Sequence, residues 1–212
     1  ILMDRLKREF NVACNHGKPR VTYKEAVRET ILHTETFKRQ TGGKGSYAQL
    51  AFQITPSDDE AKGLTFSSQV KGGAIPKEYI SGAEKGFEIA MKNGAYGFPL
   101  EALNVTILDG SAHTVDSDAM SFEICAKRGF REAIRGAKVA ILEPIMRVEI
   151  ITPDEYVGSV SSDLNRRRAV VEQVEAKIAF QTIKALVPLA EMFGYVTALR
   201  SLSSGRANYS ME

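Results

Sequence analysis

The order of elements predicted after Pro144 most strongly constrains the fold of this 212-residue chain. The predicted elements are a strand at 147–151, a helix opened by a capping box at 152–155 and facing the core with Tyr156, Val157, Val160 and Leu164, strands at 173–178 and 181–187, a helix from Pro188 to near Gly205, and a strand from Asn208. This β-α-β-β-α-β order predicts a ferredoxin-like split βαβ domain.

The preceding part of the chain predicts a second domain with longer elements. Its expected elements are a half-buried strand at 47–54, a helix from Pro76 to Gly94, a strand at 103–108, a loop at 109–116 and a helix at 117–135. The segment 11–23 carries strand or hairpin signals and is expected to end an earlier domain. The predicted fold class is α+β: an elongated βαβ-containing domain followed by the ferredoxin-like domain.

Composition limits the class of protein. A chain with 43% hydrophobic residues can bury one large or two small cores, and we expect two domains. No apolar run approaches the roughly 20 residues of a membrane span, and the first residues do not form a signal peptide, so a soluble cytoplasmic protein is expected. Cys14 and Cys125 are far apart in the sequence and predict neither a disulfide framework nor a zinc site.

A glycine-rich basic segment, Gln40-Thr41-Gly42-Gly43-Lys44-Gly45-Ser46-Tyr47, is the strongest functional signal. No acidic residue occurs from Thr36 to Ser57, whereas Lys38, Arg39 and Lys44 are cationic. Glycines permit close approach of the backbone to a partner and can expose N–H groups to oxyanions. The segment therefore indicates nucleic-acid contact, although a solvated hairpin tip explains these residues equally well.

A nucleotide-binding P-loop is excluded at this segment. The pattern G-x-x-x-x-G-K-[ST] fails because Lys38 stands at the first glycine position and Gly45 follows Lys44. A dinucleotide fingerprint, G-x-G-x-x-G after a strand, does not occur in the sequence either.

His113 lies in the predicted loop at 109–116 and could donate to a phosphate or base edge, or stack on a base. An ordinary loop histidine is the alternative, and His16 and His33 are expected to be surface residues. An acid–base or metal enzyme using His113 with Asp109 and Asp116 is disfavoured, because the acidic residues lack the spacing of a calcium loop. We predict no catalytic residue and no metal ligand.

The run Arg166-Arg167-Arg168 follows the first helix of the ferredoxin-like domain. Its cations could stabilise the C-terminal end of the helix dipole or contact phosphate, and the sequence leaves both open.

Six ordered motifs resemble the C-terminal part of the elongation factor G family, GTPases that drive tRNA–mRNA translocation on the ribosome. They lie at 40–45, 72–79, 113–117, 141–146, 163–167 and 187–195. The resemblance implies that 1–27 ends the family's third domain, that 28–143 forms the fourth, and that 144–212 forms a fifth domain truncated at its C-terminus.

The resemblance also implies a function. The tip of the family's fourth domain enters the decoding centre, which predicts RNA contacts by the following residues: Lys38, Gln40, Thr41, Gly42, Gly43, Lys44, Gly45, Ser111, His113 and Asp116. Arg166, Arg167 and Arg168 would contact rRNA of the large subunit. The expected partners are both ribosomal subunits, rRNA and tRNA–mRNA; the expected state is monomeric, with no membrane partner. The family's GTPase domain is absent, so GTP and Mg belong to the parent protein and no cofactor is expected in this chain.

Three departures from the family pattern bear on which relative this is: Ser46, Ala169 and a shortened loop at 93–99. A tetracycline ribosome-protection GTPase shares the architecture and is one alternative, although the glycine tip and His113 favour the translocase. A stand-alone ribosomal RNA-binding module without a GTPase partner is another.

Overall fold

The computed structural model describes residues 8–11, 19–40, 45–57 and 63–212. The chain divides into a central unit, Tyr23–Leu142, and a second unit to which Glu143–Glu212 belongs. The helix-like start at 3–10 and the hairpin at 11–23 fall largely outside the described residues.

The central unit contains six strands and two helices among its described residues. They are β1 (Lys24–Val27), β2 (Ile31–Arg39), β3 (Ser46–Pro56), β4 (Leu64–Ser68), α1 (Lys77–Ala90), β5 (Leu103–Ser111), α2 (Ala119–Arg135) and β6 (Val139–Leu142). The main sheet has the order β2-β3-β5-β4, with β4 parallel to β5 and the other pairs antiparallel. β1 and β6 form a separate antiparallel pair.

The core of this unit lies between the main sheet and the two helices. Leu50, Phe52 and Ile54 alternate along β3 with partly exposed residues, which confirms the predicted half-buried strand. Phe87 of α1 and Phe130 of α2 complete an aromatic cluster with Phe52, with ring centroids 4.9 Å (Phe52 to Phe87) and 6.1 Å (Phe87 to Phe130) apart.

The two helices pack closely because α1 carries glycine at the contact. A Cβ on Gly86 would lie 2.5 Å from the carbonyl oxygen of Glu123 and 2.8 Å from the Cβ of Ala126. Real Cβ atoms do not approach this closely, so a larger residue would force the helices apart.

Both helices of the central unit are shorter than the sequence predicts. Pro76 is the N-cap of α1 instead of its first helical residue, and the helix ends at Ala90, before Gly94. Asp118 is the N-cap of α2, and its carboxylate accepts from the Ser121 amide at 2.7 Å.

The predicted loop at 109–116 is wrong in its first three residues. β5 continues to Ser111, because Gly110 and Ser111 pair with Leu50 and Gln49 of β3. The ladder shifts register between Ala51 and Phe52, which leaves an extra residue on β5. The extension depends on the partner strand and carries no local sequence signal.

The prediction that residues 24–27 belong to a preceding domain needs correction. β1 pairs with β6, with Glu25 opposite Ile141, so this strand is part of the central unit. The Glu25 amide also donates to Pro99 O at 2.8 Å, and Glu101 N donates to Glu25 O at 2.9 Å. The proposed division of the family into third, fourth and fifth domains stays a prediction.

The second unit has the predicted β-α-β-β-α-β order. Its elements are β7 (Ile145–Pro153), a 3-10 turn (Asp154–Tyr156), α3 (Val157–Arg166), β8 (Val170–Lys177), β9 (Phe180–Pro188), α4 (Leu189–Met192), α5 (Tyr195–Leu202) and β10 (Asn208–Met211). The antiparallel sheet has the order β10-β7-β9-β8. Its first and third strands are central, as in a ferredoxin-like domain, and the predicted fold class is confirmed.

Two local predictions in this unit are wrong. Thr152 does not cap a helix: it is fully buried in β7, and its hydroxyl donates to the Pro153 carbonyl. The helix predicted from Pro188 is interrupted, because Phe193 is extended and Gly194 has a φ of 76°. A positive φ suits glycine and ends the first helical segment.

Candidate nucleic-acid interface

Two connections meet at one end of the main sheet of the central unit. Residues 40–45 join β2 to β3, and residues 112–118 join β5 to α2; we call them together the tip. The Gly45 amide donates to Asp116 Oδ1 at 2.9 Å, and the Tyr47 amide donates to Asp116 O at 2.7 Å. The two loops that the sequence marks separately are therefore in direct contact.

Ser117 holds the second connection against β3 from the inside. It is only 6% exposed, accepts from the His113 amide at 2.7 Å and donates to Tyr47 O at 2.7 Å. The Tyr79 hydroxyl of α1 donates to the Ser117 carbonyl at 3.0 Å. The sequence did not identify Ser117 as a site residue, because nothing local distinguishes it from the neighbouring polar residues.

His113 presents its imidazole at the surface. Its side chain is 58% exposed, with Nδ1 lying 3.5 Å from Asp116 Oδ2. The Tyr47 ring meets it edge to face, with centroids 6.4 Å apart. The imidazole is thus accessible to solvent, and its protein neighbours are Asp116 and Tyr47.

A row of polar side chains continues from the tip across the sheet. The Ser111 hydroxyl donates to Gln49 Oε1 at 2.9 Å, which leaves Tyr47 as the donor in its 2.9 Å bond to Ser111. Gln49 Nε2 in turn donates to Thr36 at 3.2 Å. The hydroxyl of Ser111, a residue predicted to contact RNA, is hydrogen-bonded to Tyr47 and Gln49 within this row. Tyr47 and Gln49 lie two residues apart on the same face of β3, and this period-two pattern could have identified them as part of the site.

Cations border the tip on the β2 side. Lys38 and Arg39 are exposed and lie opposite Tyr47 and Ser46 in the strand register. With Gln40, Gly45, His113 and Asp116 they line a surface cleft of about 400 Å³. The cleft is open, polar and bordered by positive charge, as expected for contact with a polyanion.

Four predicted RNA-binding residues, Thr41, Gly42, Gly43 and Lys44, lie outside the described residues, so their roles stay predictions. Gly45 is the one glycine of this segment among the described residues, and its amide donates to a carboxylate and is not open to an oxyanion. Asp116 therefore joins the two connections internally, and its predicted contact with RNA also stays a prediction.

The described residues contain no group of three His, Cys, Asp or Glu side chains that could hold a metal ion. Asp109 Oδ1 accepts from the adjacent Gly110 amide at 2.8 Å, which is a contact between sequence neighbours within β5. Within the same described ranges, no helix is long and apolar enough to cross a bilayer.

The three consecutive arginines of the second unit differ in environment. Arg167 is 18% exposed at its side chain, donates to Asp163 at 2.7 Å and to the Glu191 carbonyl, and lies 4.8 Å above the Tyr195 ring. It stabilises the unit from within.

Arg168 and Arg166 are both exposed at the surface. Arg168 makes two hydrogen bonds to the Glu143 carboxylate, at 2.7 and 2.9 Å, which lower the pKa of that carboxyl. Arg166 lies beside a surface cleft with Ser159 and Ser162. The rRNA contact of the three arginines stays a prediction.

Comparison with known proteins agrees with this architecture. A family described as elongation factor G, domain IV, matches residues 19–138, and one described as elongation factor G C-terminus matches residues 140–212. Elongation factor G of Cytophaga hutchinsonii is 51% identical over 212 residues, and that of Amoebophilus asiaticus is 50% identical over 208 residues. The chain spans 30% and 29% of the lengths of these two relatives.

A crystal structure from Thermus thermophilus superimposes with a TM-score of 0.88 at 33% identity, covering 99% of this chain and 31% of the other. The matches cover both units in the same order. On these grounds the chain belongs to the elongation factor G family of translation factors, and represents the domain IV and C-terminal regions of that family.

Proposed function

We propose that this chain is the RNA-facing part of a ribosomal translocase. In this proposal the tip enters the decoding centre behind the tRNA–mRNA duplex, while the second unit lies against large-subunit rRNA. The factor works as a cytoplasmic monomer on the ribosome. Family membership supports the ribosome as partner, and the tip geometry supports contact with RNA.

The observation that carries the proposal is the joining of the two connections by Asp116 and Ser117. These contacts bring exposed His113 beside the cationic end of β2, where Lys38 and Arg39 lie. Two joined connections with cations beside them can occupy space next to RNA and hold it by hydrogen bonds and charge. It acts as a steric and electrostatic wedge that prevents tRNA return, and no covalent bond changes at the tip.

Charge alone gives the tip little affinity. Three cationic side chains at or beside the tip, Lys38, Arg39 and Lys44, would release few counterions, giving a salt slope of roughly −2 to −3. We therefore expect the isolated chain to bind ribosomes weakly and to depend on the rest of the factor.

GTP hydrolysis is assigned, within this proposal, to residues outside the chain. The glycine segment lacks the P-loop pattern, and a carboxylate accepts the Gly45 amide where a phosphate-binding loop would offer a free donor. The glycine segment therefore does not fit GTP and Mg, and the proposed action of the tip does not use them.

The test uses the whole factor with His113→Ala. Translocation, measured by rapid kinetics on ribosomes, should be slowed several-fold, while ribosome-dependent GTP hydrolysis keeps its rate. Glu132→Gln, an exposed carboxylate on α2 that pairs with Arg135, is the matched control and should change neither rate. Equal loss of both activities in the His113 variant would contradict the division of labour.

A further inference from the structure

We propose that Asp116 is a positioning residue for His113, and that it presents Nε2 of the imidazole to RNA as a hydrogen-bond acceptor. The RNA groups that fit are donors, either a ribose 2′-hydroxyl or a base amino group. The inference rests on the proposed function in that RNA is taken as the partner; the orientation of the ring depends on contacts within this chain.

Asp116 is fixed by two hydrogen bonds, one from Gly45, which precedes β3, and one from Tyr47 in β3. Its carbonyl accepts from the Tyr47 amide at 2.7 Å, and its Oδ1 accepts from the Gly45 amide at 2.9 Å. Because the backbone and one carboxylate oxygen of Asp116 are both hydrogen-bonded, the orientation of its second carboxylate oxygen is restricted. That oxygen, Oδ2, faces His113 Nδ1 at 3.5 Å.

His113 is held at its backbone, and its ring has Asp116 and Tyr47 as neighbours. The His113 amide donates to the buried Ser117 hydroxyl at 2.7 Å, and the Ser117 amide donates back to the His113 carbonyl at 3.2 Å. The Tyr47 ring borders the imidazole edge to face. These contacts leave the outer edge of the imidazole as the part available to a partner.

A carboxylate beside Nδ1 favours the tautomer that carries its proton on that nitrogen. Nε2 of the neutral ring then has a free lone pair and accepts a hydrogen bond. Phosphate oxygens cannot donate, whereas the 2′-hydroxyl and the amino groups of bases can. This assignment departs from the sequence-based interpretation in which His113 donates to a phosphate or base edge, or stacks on a base.

The first test measures the tautomer directly in this chain. Imidazole ¹⁵N shifts above the titration range should show His113 mainly protonated at Nδ1, with the resonance assigned by its loss in His113→Gln. In Asp116→Asn the population should move to the Nε2-protonated form that is usual for a free imidazole. Glu132→Gln should leave the populations unchanged, and a wild-type ring protonated mainly at Nε2 would overturn the assignment.

The second test compares two amides at His113 in the whole factor. Glutamine places its amide near the position of Nε2, whereas asparagine places it near Nδ1. If Nε2 is the contact, His113→Gln should translocate about fivefold faster than His113→Asn, the value of one hydrogen bond. Equal rates, or a faster asparagine variant, would refute the inference.

The two proposals fail in different ways. If His113→Ala leaves translocation unchanged, the proposed function of the tip is wrong, whatever the tautomer. If His113→Ala slows translocation but the wild-type ring is protonated at Nε2, only the role of Asp116 and the acceptor assignment are wrong.

Discussion

Replacing Ser117 by alanine removes the hydroxyl that joins the two connections of the tip. That hydroxyl makes two bonds of 2.7 Å, one from the His113 amide and one to the Tyr47 carbonyl. Each bond contributes about 1 kcal/mol net, and a buried group left without a partner costs about 1–3 kcal/mol. Because Ser117 is only 6% exposed, water replaces the hydroxyl incompletely. We expect the free energy of unfolding of the central unit to fall by about 2–3 kcal/mol.

The measurement is a denaturant titration followed by far-UV circular dichroism, since the chain has no tryptophan for fluorescence. Ser67→Ala is the matched control in the same unit: its exposed hydroxyl shares one 2.9 Å bond with Thr106. Its loss should cost less than about 0.5 kcal/mol. Equal losses of stability in the two variants would refute the claim that burial and two hydrogen bonds make the Ser117 hydroxyl the larger contributor.

Three further predictions concern packing, ion pairs and the buried thiol. Gly86→Ala should destabilise the central unit by about 1–2 kcal/mol, because overpacking against α2 outweighs the gain in helix propensity. At Gly136 the added carbon would meet no residue other than its chain neighbours within 4 Å, so Gly136→Ala should stay within about 0.5 kcal/mol in the same titration. Arg167→Ala should lower the free energy of unfolding of the second unit by about 3 kcal/mol, because it leaves the mostly buried Asp163 carboxylate without its partner. Arg168→Ala, at an exposed pair, should cost under about 1 kcal/mol. Similar losses in the two variants would contradict the claim that burial decides the value of these ion pairs. Burial raises the pKa of the Cys125 thiol from 9.0 to about 12. The contribution of this thiol to stability is therefore complete below pH 9 and falls as pH rises toward 12. If Cys125→Ala leaves the alkaline unfolding curve unchanged, the predicted pH dependence is wrong.

The elements that the sequence predicted well depend on local patterns. The alternation at 47–54 requires only a period of two, and the helical face with Val160 and Leu164 requires only a period near 3.6. Both residues of that face are fully buried, as expected. The order of elements in the second unit followed from such signals, and the order by itself restricts the sheet topology.

The errors occur where a distant part of the chain decides the local structure. The extension of β5 to Ser111 depends on β3, and the membership of β1 in the central unit depends on β6. Thr152 has the residue type of a helix cap, but its place in a buried strand overrides that preference.

The sequence by itself determined the fold class, the glycine-rich basic segment, His113 and the resemblance to a translation factor family, since these depend on residue type, spacing and order. Only the tertiary structure decided how the candidate site is built. Residues about 70 positions apart meet there, as Gly45 and Asp116 do, and Ser117 holds them together from inside. The same holds for Arg167, whose charge is used in an internal pair. Pairing across such distances is selected by the packing of the whole unit, and no local pattern in the chain encodes it.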